Sequence, residues 1–284
     1  MREGRATAAI GVSLRVAMYA VLAAGGMIGF SWLLSSLGGR LLPATLSVFL
    51  AAVVANGLAM RIFEQAPLQA AGLMWNSAGV RNMLAGLLGG AGAACIVLAV
   101  PLIAGLAELE AMPECGMRWR TLLFTTAMLL VGAAGEELLF HGYAFQVLVG
   151  RLGAFAAVLP FGVLFAAAHS ANLGVTRLAL ANTAAWGILL GYGFCRSGDL
   201  WLPIGLHVGW NWVLPLFGVN LSGFRMTVTG YALRWRMEPV WTGGEYGPEG
   251  GLLTSLVVVL LAFYLWKAPI RRQTPLLAPN IAGE

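Results

Sequence analysis

Hydrophobic positions in this chain come in long blocks, not in alternation and not in short amphipathic stripes. Apolar runs of roughly 20 residues, separated by brief polar breaks, predict eight membrane-crossing helices. They fall near 12–37, 43–60, 82–106, 120–149, 152–170, 177–195, 200–219 and 251–267. Only helices or closed barrels satisfy the backbone inside lipid, and the two-residue alternation of a barrel strand is absent. The expected fold is therefore an all-α integral membrane protein, a bundle of about eight transmembrane helices forming one polytopic domain over residues 1–284. The first run is too long for a cleavable signal peptide and lacks a small-x-small cleavage site.

Composition agrees with the pattern. The chain is 59% hydrophobic and 10% charged, with mean hydropathy +0.81, where a soluble domain would carry about 25% charge. The net charge of +5 then speaks to orientation in a bilayer, not to nucleic acid. An even number of spans puts both termini on one side. That side would carry Arg2, Arg5, Arg15, Arg61, Arg81, Arg151, Arg196, Lys267, Arg271 and Arg272. The other would carry Arg40, Arg118, Arg120, Arg177, Arg225, Arg234 and Arg236. The bias places the termini in the cytoplasm, and in a prokaryote the membrane would be the plasma or inner membrane.

The connections carry further expectations. Residues 61–81, which mix charge with Trp75, read as an interfacial segment lying along the bilayer. Residues 107–120, with Glu108, Glu110 and Glu114, read as a solvated loop. The turn Arg151-Leu152-Gly153 makes its flanking helices antiparallel neighbours. Residues 220–250 end in Gly-Pro-Glu-Gly-Gly and hold Tyr231, Trp235, Trp241 and Tyr246, which suits an interfacial aromatic belt or a lid over a site. Glycines spaced by four (Gly25/Gly29, Gly86/Gly90, Gly187/Gly191 and Gly205/Gly209) predict close helix contacts. Cys95, Cys115 and Cys195 have no metal-ligand spacing and read as reduced packing residues.

Against this apolar background the polar exceptions stand out. Glu136 and Glu137 are adjacent within the run that starts at Thr121, in a chain with only 12 acidic residues. Charge there costs several kcal/mol unless it is paired or used. The only three histidines, His141, His169 and His207, all fall in apolar spans or at their ends. Glu136 and His169 are equidistant from the proposed turn at 151–153, roughly 25 Å along each helix, so they sit level across the hairpin. His207 and Asn211 share one helix face, about 12 and 18 Å into their span counted from Asp199. Glu137 and His141, four apart, can pair along one face, with Glu136 rotated about 100° away. This divides the carboxylates: Glu137 with His141 as a fixed internal pair, Glu136 presented to a cavity. Glu136 with His169 could activate a water, and His207 with Asn211 could stabilise the oxyanion formed on a carbonyl.

Glu136-Glu137-x-x-x-His141, Phe165-x-x-x-His169 and His207-x-x-x-Asn211 resemble, in order, the motifs EExxxR, FxxxH and HxxxN of the CAAX protease and bacteriocin-processing family. These are intramembrane proteases on an eight-helix bundle, related to the type II CAAX prenyl endopeptidases. The resemblance covers about residues 120–215. It implies peptide hydrolysis in the membrane with Glu136, His169, His207 and Asn211 catalytic and Glu137 and His141 supporting. The implied substrates are membrane-associated peptides or protein tails. His141 stands where the family has arginine, replacing a permanent cation by a titratable group. A divalent metal such as zinc would take Glu136, His169 and His207 as ligands if the reaction were metal-dependent; a glutamate-activated water is the preferred reading. Two other classes stay open: a non-catalytic immunity or binding protein on the same scaffold, and a proton- or cation-handling transporter. An open cavity beside a Glu136–His169 contact favours an enzyme, a filled dry site favours a binder, and broken helices at the site favour a transporter. A two-aspartate protease is excluded because Asp199 is the only aspartate. No His-Glu-x-x-His spacing exists for a zinc protease, and Ser170 lacks the Gly-x-Ser-x-Gly setting of a serine nucleophile.

Overall fold

A computed structural model describes residues 2–112, 116, 119–226 and 228–283, with side chains from residue 11 to 281 among them. Glu114, Cys115 and Arg118 lie outside the described residues, as do the side chains of Arg2 and Arg5. The architecture is a helical bundle: α1 (Arg2–Leu33), α2 (Leu41–Ala59), α3 (Ser77–Ile103), α4 (Trp119–His141), α5 (Tyr143–Leu152), α6 (Ala154–Ala168), α7 (Arg177–Ser197), α8 (Trp201–Leu216), the short α9 (Pro239–Thr242) and α10 (Leu252–Lys267). Two strands, β1 (Ala107–Ala111) and β2 (Tyr231–Trp235), complete the described elements. Each apolar block contains helix. Five helical stretches are long and apolar enough to cross a membrane, the longest being Trp119–Leu152, and Ala154–Ala168 and Leu252–Lys267 are shorter apolar helices. The protein is an integral membrane bundle.

Local chemistry sets several boundaries. Asn76 caps α3 by accepting from Gly79 N, and Thr176 caps α7 by accepting from Ala179 N, so each satisfies an otherwise orphan helical donor. Gly153, at φ +86°, makes the one-residue turn between α5 and α6, as the spacing predicts. The glycine pairs act mainly between α3 and α8. A Cβ on Gly86 or Gly90 would overlap the carbonyls of Leu202 or Leu206, and one on Gly205 or Gly209 those of Met83 or Leu87. The two backbones therefore lie against each other, which fixes the height of α8 and so of His207. Gly187 packs on Phe165 and Gly162 of α6 in the same way. Gly25 and Gly29 have open space around them, and on α1 it is Gly26 that meets Ala51.

Two expectations need correction. The run 120–149 is not one helix: it breaks at Gly142 between α4 and α5. Asn56 of α2 replaces the lost backbone bonds. Its amide donates to Leu138 O (2.9 Å) and its Oδ1 accepts from Tyr143 N (2.7 Å). Residues 107–111 are not a solvated loop but β1, antiparallel to β2 with Glu108 opposite Arg234. Ion pairs Arg234–Glu110 and Arg236–Glu108 cross the ladder. Opposite charges on facing strands favour pairing where like charges would oppose it. Residues 61–81 connect α2 to α3: a wide turn Met60–Glu64 extends α2, a tight turn Leu68–Ala71 follows, and α3 already begins at Ser77. This segment packs on the α7–α8 turn through Gly72 O, which accepts from Leu200 N, and through Trp75 edge-on to Trp201. Cys195 is buried and Cys95 is exposed.

The core falls into neighbouring clusters. One joins α3, α7, α8 and α10 through Leu98, Leu190, Leu206, Trp210 and Leu261. Another joins α1, α2 and α5 through Tyr19, Ala55, Met60 and Tyr143. Between α8 and α10 the chain supplies β2 and the short α9. The α7–α8 turn is tied to the C-terminal segment through Gln273 N donating to Ser197 O and to α3 through Asn82 donating to Asp199.

Candidate active site

Helix α4 carries the two carboxylates into different surroundings. Glu137 is fully buried, whereas the side chain of Glu136 is 28% exposed. Both Glu137 oxygens are taken: Oε2 accepts from His141 Nδ1 (2.7 Å) and Oε1 from His207 Nδ1 (2.8 Å). A carboxylate only accepts, so each of these Nδ1 atoms carries the proton. The i, i+4 pair expected from the spacing is present, and a second histidine from α8 joins it. His141 is fully buried between Gly191, where a Cβ would lie 3.4 Å away, and the edge-on ring of Phe145. Its Nε2 has no hydrogen-bond partner among the described residues.

Glu136 points the other way. Its Oε2 has no hydrogen bond among the described residues and lies 3.7 Å from Nε2 of His169. His169 ends α6, and its Nδ1 lies 2.8 Å from Phe165 O. A carbonyl can only accept, so Nδ1 bears the hydrogen and, in the neutral ring, Nε2 faces Glu136 as an acceptor. Phe165 also packs on the rings of His169 (4.9 Å between centroids), Phe140 (5.2 Å) and His207 (6.0 Å). The aromatic residue four before the histidine is thus the platform on which both histidines rest.

Glu136, His169, His207 and Asn211 all line one open cavity of about 340 Å³. Its walls are largely apolar and come from α1 and α2 (Met27, Thr45, Val48), from α4 (Met128, Phe140) and from the 221–226 stretch. The backbone contact of α8 with α3 and the bond to Glu137 hold His207 beside the Glu136–His169 pair. Among the described residues, no three His, Cys, Asp or Glu side chains converge as metal ligands. The conditional ligand set of Glu136, His169 and His207 is not gathered as placed; with Nδ1 of His207 donating to Glu137 and Nδ1 of His169 to Phe165 O, the Nε2 atoms and Glu136 are the groups that would hold a metal. No step is routed through a metal here.

Residues 118–213 match the family model described as type II CAAX prenyl endopeptidase Rce1-like. Over this core the chain is similar to the CAAX intramembrane proteases. The matched segment runs from just before α4 into the last turn of α8 and contains Glu136, His169, His207 and Asn211. No curated protein and no solved structure matches the chain.

Several groups at the site were not legible as site residues beforehand. Asn172 and Ser222 line the main cavity, and Glu249 lines a narrow pocket adjoining His169 and His207. Glu249 had a signal, a carboxylate in a Gly-Pro-Glu-Gly-Gly turn entering an apolar span, and Asn56 had another, a lone amide inside a run of Ala and Val. The break at Gly142 is a feature the transporter reading predicts near the site. Its freed backbone groups, however, are occupied by Asn56 and do not line a cavity as ion-binding broken helices do.

Proposed function

We propose that this protein is an intramembrane endopeptidase in which Glu136, helped by His169, activates a water against the peptide carbonyl of a membrane-associated substrate. One observation carries the reading: an unpaired carboxylate oxygen and an imidazole nitrogen, both acceptors, 3.7 Å apart at the wall of an open cavity. A water between them donates one hydrogen to each, and its lone pair is left for attack. Glu136 takes the proton as the carbon–oxygen bond forms. His207 and Asn211 donate to the carbonyl oxygen as it becomes an oxyanion. Glu136 then returns the proton to the amine as the carbon–nitrogen bond breaks. General-base help of this kind contributes ~10²–10⁴ in rate, and an oxyanion donor ~10²–10³.

Glu137 supports this chemistry from behind. By accepting from Nδ1 it orients His207 and leaves Nε2 as the ring's remaining polar atom. With both nitrogens protonated the ring donates to the oxyanion, and Glu137 balances its charge, as a buried carboxylate does for a catalytic imidazolium. The open cavity beside the Glu136–His169 contact favours an enzyme over a binder on the same scaffold. Its largely apolar walls suit a substrate that arrives from the lipid phase, and the matched family's name points to protein tails carrying a prenyl group.

Glu136→Gln tests the reading. The variant should insert and fold as the wild type does while losing cleavage. Comparative proteomics of membrane peptides from cells carrying either form should show tails processed only with Glu136. Equal processing by both forms would sink the proposal.

A further inference from the structure

Glu249 is an ionisable side chain that the motifs do not include and the fold nevertheless brings to the site. It sits in the turn Pro248–Gly250 just ahead of α10 and lines a pocket of about 30 Å³ together with His169, His207, Asn211 and Ser222. All of its contacts run inward. Oε1 accepts from Trp210 Nε1 of α8 (3.2 Å), and Oε2 accepts from both Ser222 N (2.6 Å) and Ser222 Oγ (2.7 Å). Its backbone is held as well, since Asn182 of α7 donates to Glu249 O (2.8 Å) and Gly251 O (2.9 Å). Burial pushes the Glu249 carboxyl above the usual range, while the Ser222 bonds and nearby His169 pull the other way.

The partner of this carboxylate is itself unusual. Ser222 has φ +48°, a left-handed conformation that a non-glycine residue keeps only where its surroundings hold it. A carboxylate that accepts from both the N–H and the hydroxyl of this one residue is such a surrounding. On either side, Leu221 and Phe224 bridge to each other, and with Met226 they wall the 340 Å³ cavity.

We propose that Glu249 is a positioning residue: it latches Ser222, and with it the stretch 221–226, onto α8, so that Leu221, Phe224 and Met226 form a fixed wall of the substrate cavity. The wall's role in substrate selection rests on the peptidase reading; the latch itself does not. Glu249→Gln keeps one acceptor oxygen, which can serve Ser222 or Trp210 Nε1 but not both, and Ser222→Ala removes only the hydroxyl bond.

Two measurements on the full-length protein separate these claims. The first needs no activity: trypsin cleavage after exposed Arg225 in the folded, detergent-solubilised protein. Glu249→Gln should speed it about tenfold, the scale of one lost charge-assisted hydrogen bond, and Ser222→Ala should speed it less. The double variant should be no faster than Glu249→Gln alone, because both act on one latch. An unchanged cleavage rate in Glu249→Gln, or fully additive effects, would overturn the latch. If Glu249→Gln fails to fold, Ser222→Ala alone decides, and no acceleration there overturns it. The second measurement uses a fluorogenic farnesylated Cys-a-a-X tail peptide. With the latch loosened, KM should rise about fivefold, again on the scale of one hydrogen bond, and kcat should fall by less than KM rises. A fall in kcat at constant KM would overturn the positioning role. If the wild type leaves this peptide uncut, the prenyl-tail reading fails while the trypsin result still judges the latch.

Discussion

Glu136 and Glu137 are neighbours on one helix turn, yet they inhabit opposite halves of the site. The Glu137 half is dry and closed: both oxygens are hydrogen-bonded to histidines and the side chain is fully buried. The Glu136 half is open, its nearest imidazole stands 3.7 Å away, and one oxygen has no bond. The difference separates stability from reactivity. A carboxylate with both oxygens engaged is spent on structure, and one left short of partners beside a cavity is available to a water.

The strongest way to break this comparison is to remove Glu137. Glu137→Ala leaves two buried histidines without their shared acceptor, and breaking a buried pair costs about 3–5 kcal/mol. The variant should lose thermal stability in detergent along with any activity. A Glu137→Ala protein that melts like the wild type would mean that the closed half is not structural. Glu136→Gln should do the converse, lowering cleavage by ~10²–10⁴ with the melting temperature unchanged. A large drop in melting temperature would show that Glu136 belongs to the closed half after all. Asn211→Ala comes next, with an expected loss of ~10²–10³ in kcat and little change in KM. A rise in KM alone would assign Asn211 to ground-state binding.

How far this division was legible in the sequence depends on distance along the chain. Glu136 level with His169, and Glu137 four residues before His141, follow from helix rise and period, so spacing alone predicted both contacts. The second histidine on Glu137 was not predictable: His207 is 70 residues away, and its height is set by glycine contacts between α3 and α8. The break after His141 was hidden for a similar reason. Nothing in Leu138–Gly142 disfavours helix strongly, and the compensating amide is 87 residues upstream of Tyr143. The β1–β2 pairing was missed because Glu108 and Glu110 look solvated until Arg234 and Arg236 are placed opposite them. Glu249 escaped because its partners are distant in sequence: Trp210 lies 39 residues away in α8 and Ser222 27 residues away at the other end of the same long connection.

Asp199 offers the smallest and most diagnostic contrast. At the α7–α8 turn it is as buried as Glu137, but its partners are the amides of Asn82 and Gln273, Ser197 and the N–H of Leu202, with no cation among them. Burial raises its carboxyl above the ordinary 3.8, and those bonds only partly offset this. The raised value means that the neutral form is favoured in the folded protein. The stability this group contributes is therefore complete below pH 3.8 and is lost as pH rises through the raised value. Asp199→Asn removes that dependence, so its melting temperature relative to wild type should climb across this window. A constant difference would show that the neutral amides support a charge as well as histidines do.

The gap at Gly142 also bears on how the protein could change over evolutionary time. In a continuous helix, inserting or deleting one residue turns everything on one side of the change by about 100° relative to the other. Here Asn56 grips Leu138 O and Tyr143 N from outside the helix, so the angular phase is reset at that point. The segment Tyr143–Leu152 can change its rotation about its own axis without turning Glu136 on α4. The interruption works as a mechanical decoupler, leaving one end of the hairpin free to vary while the aim of the carboxylate is held.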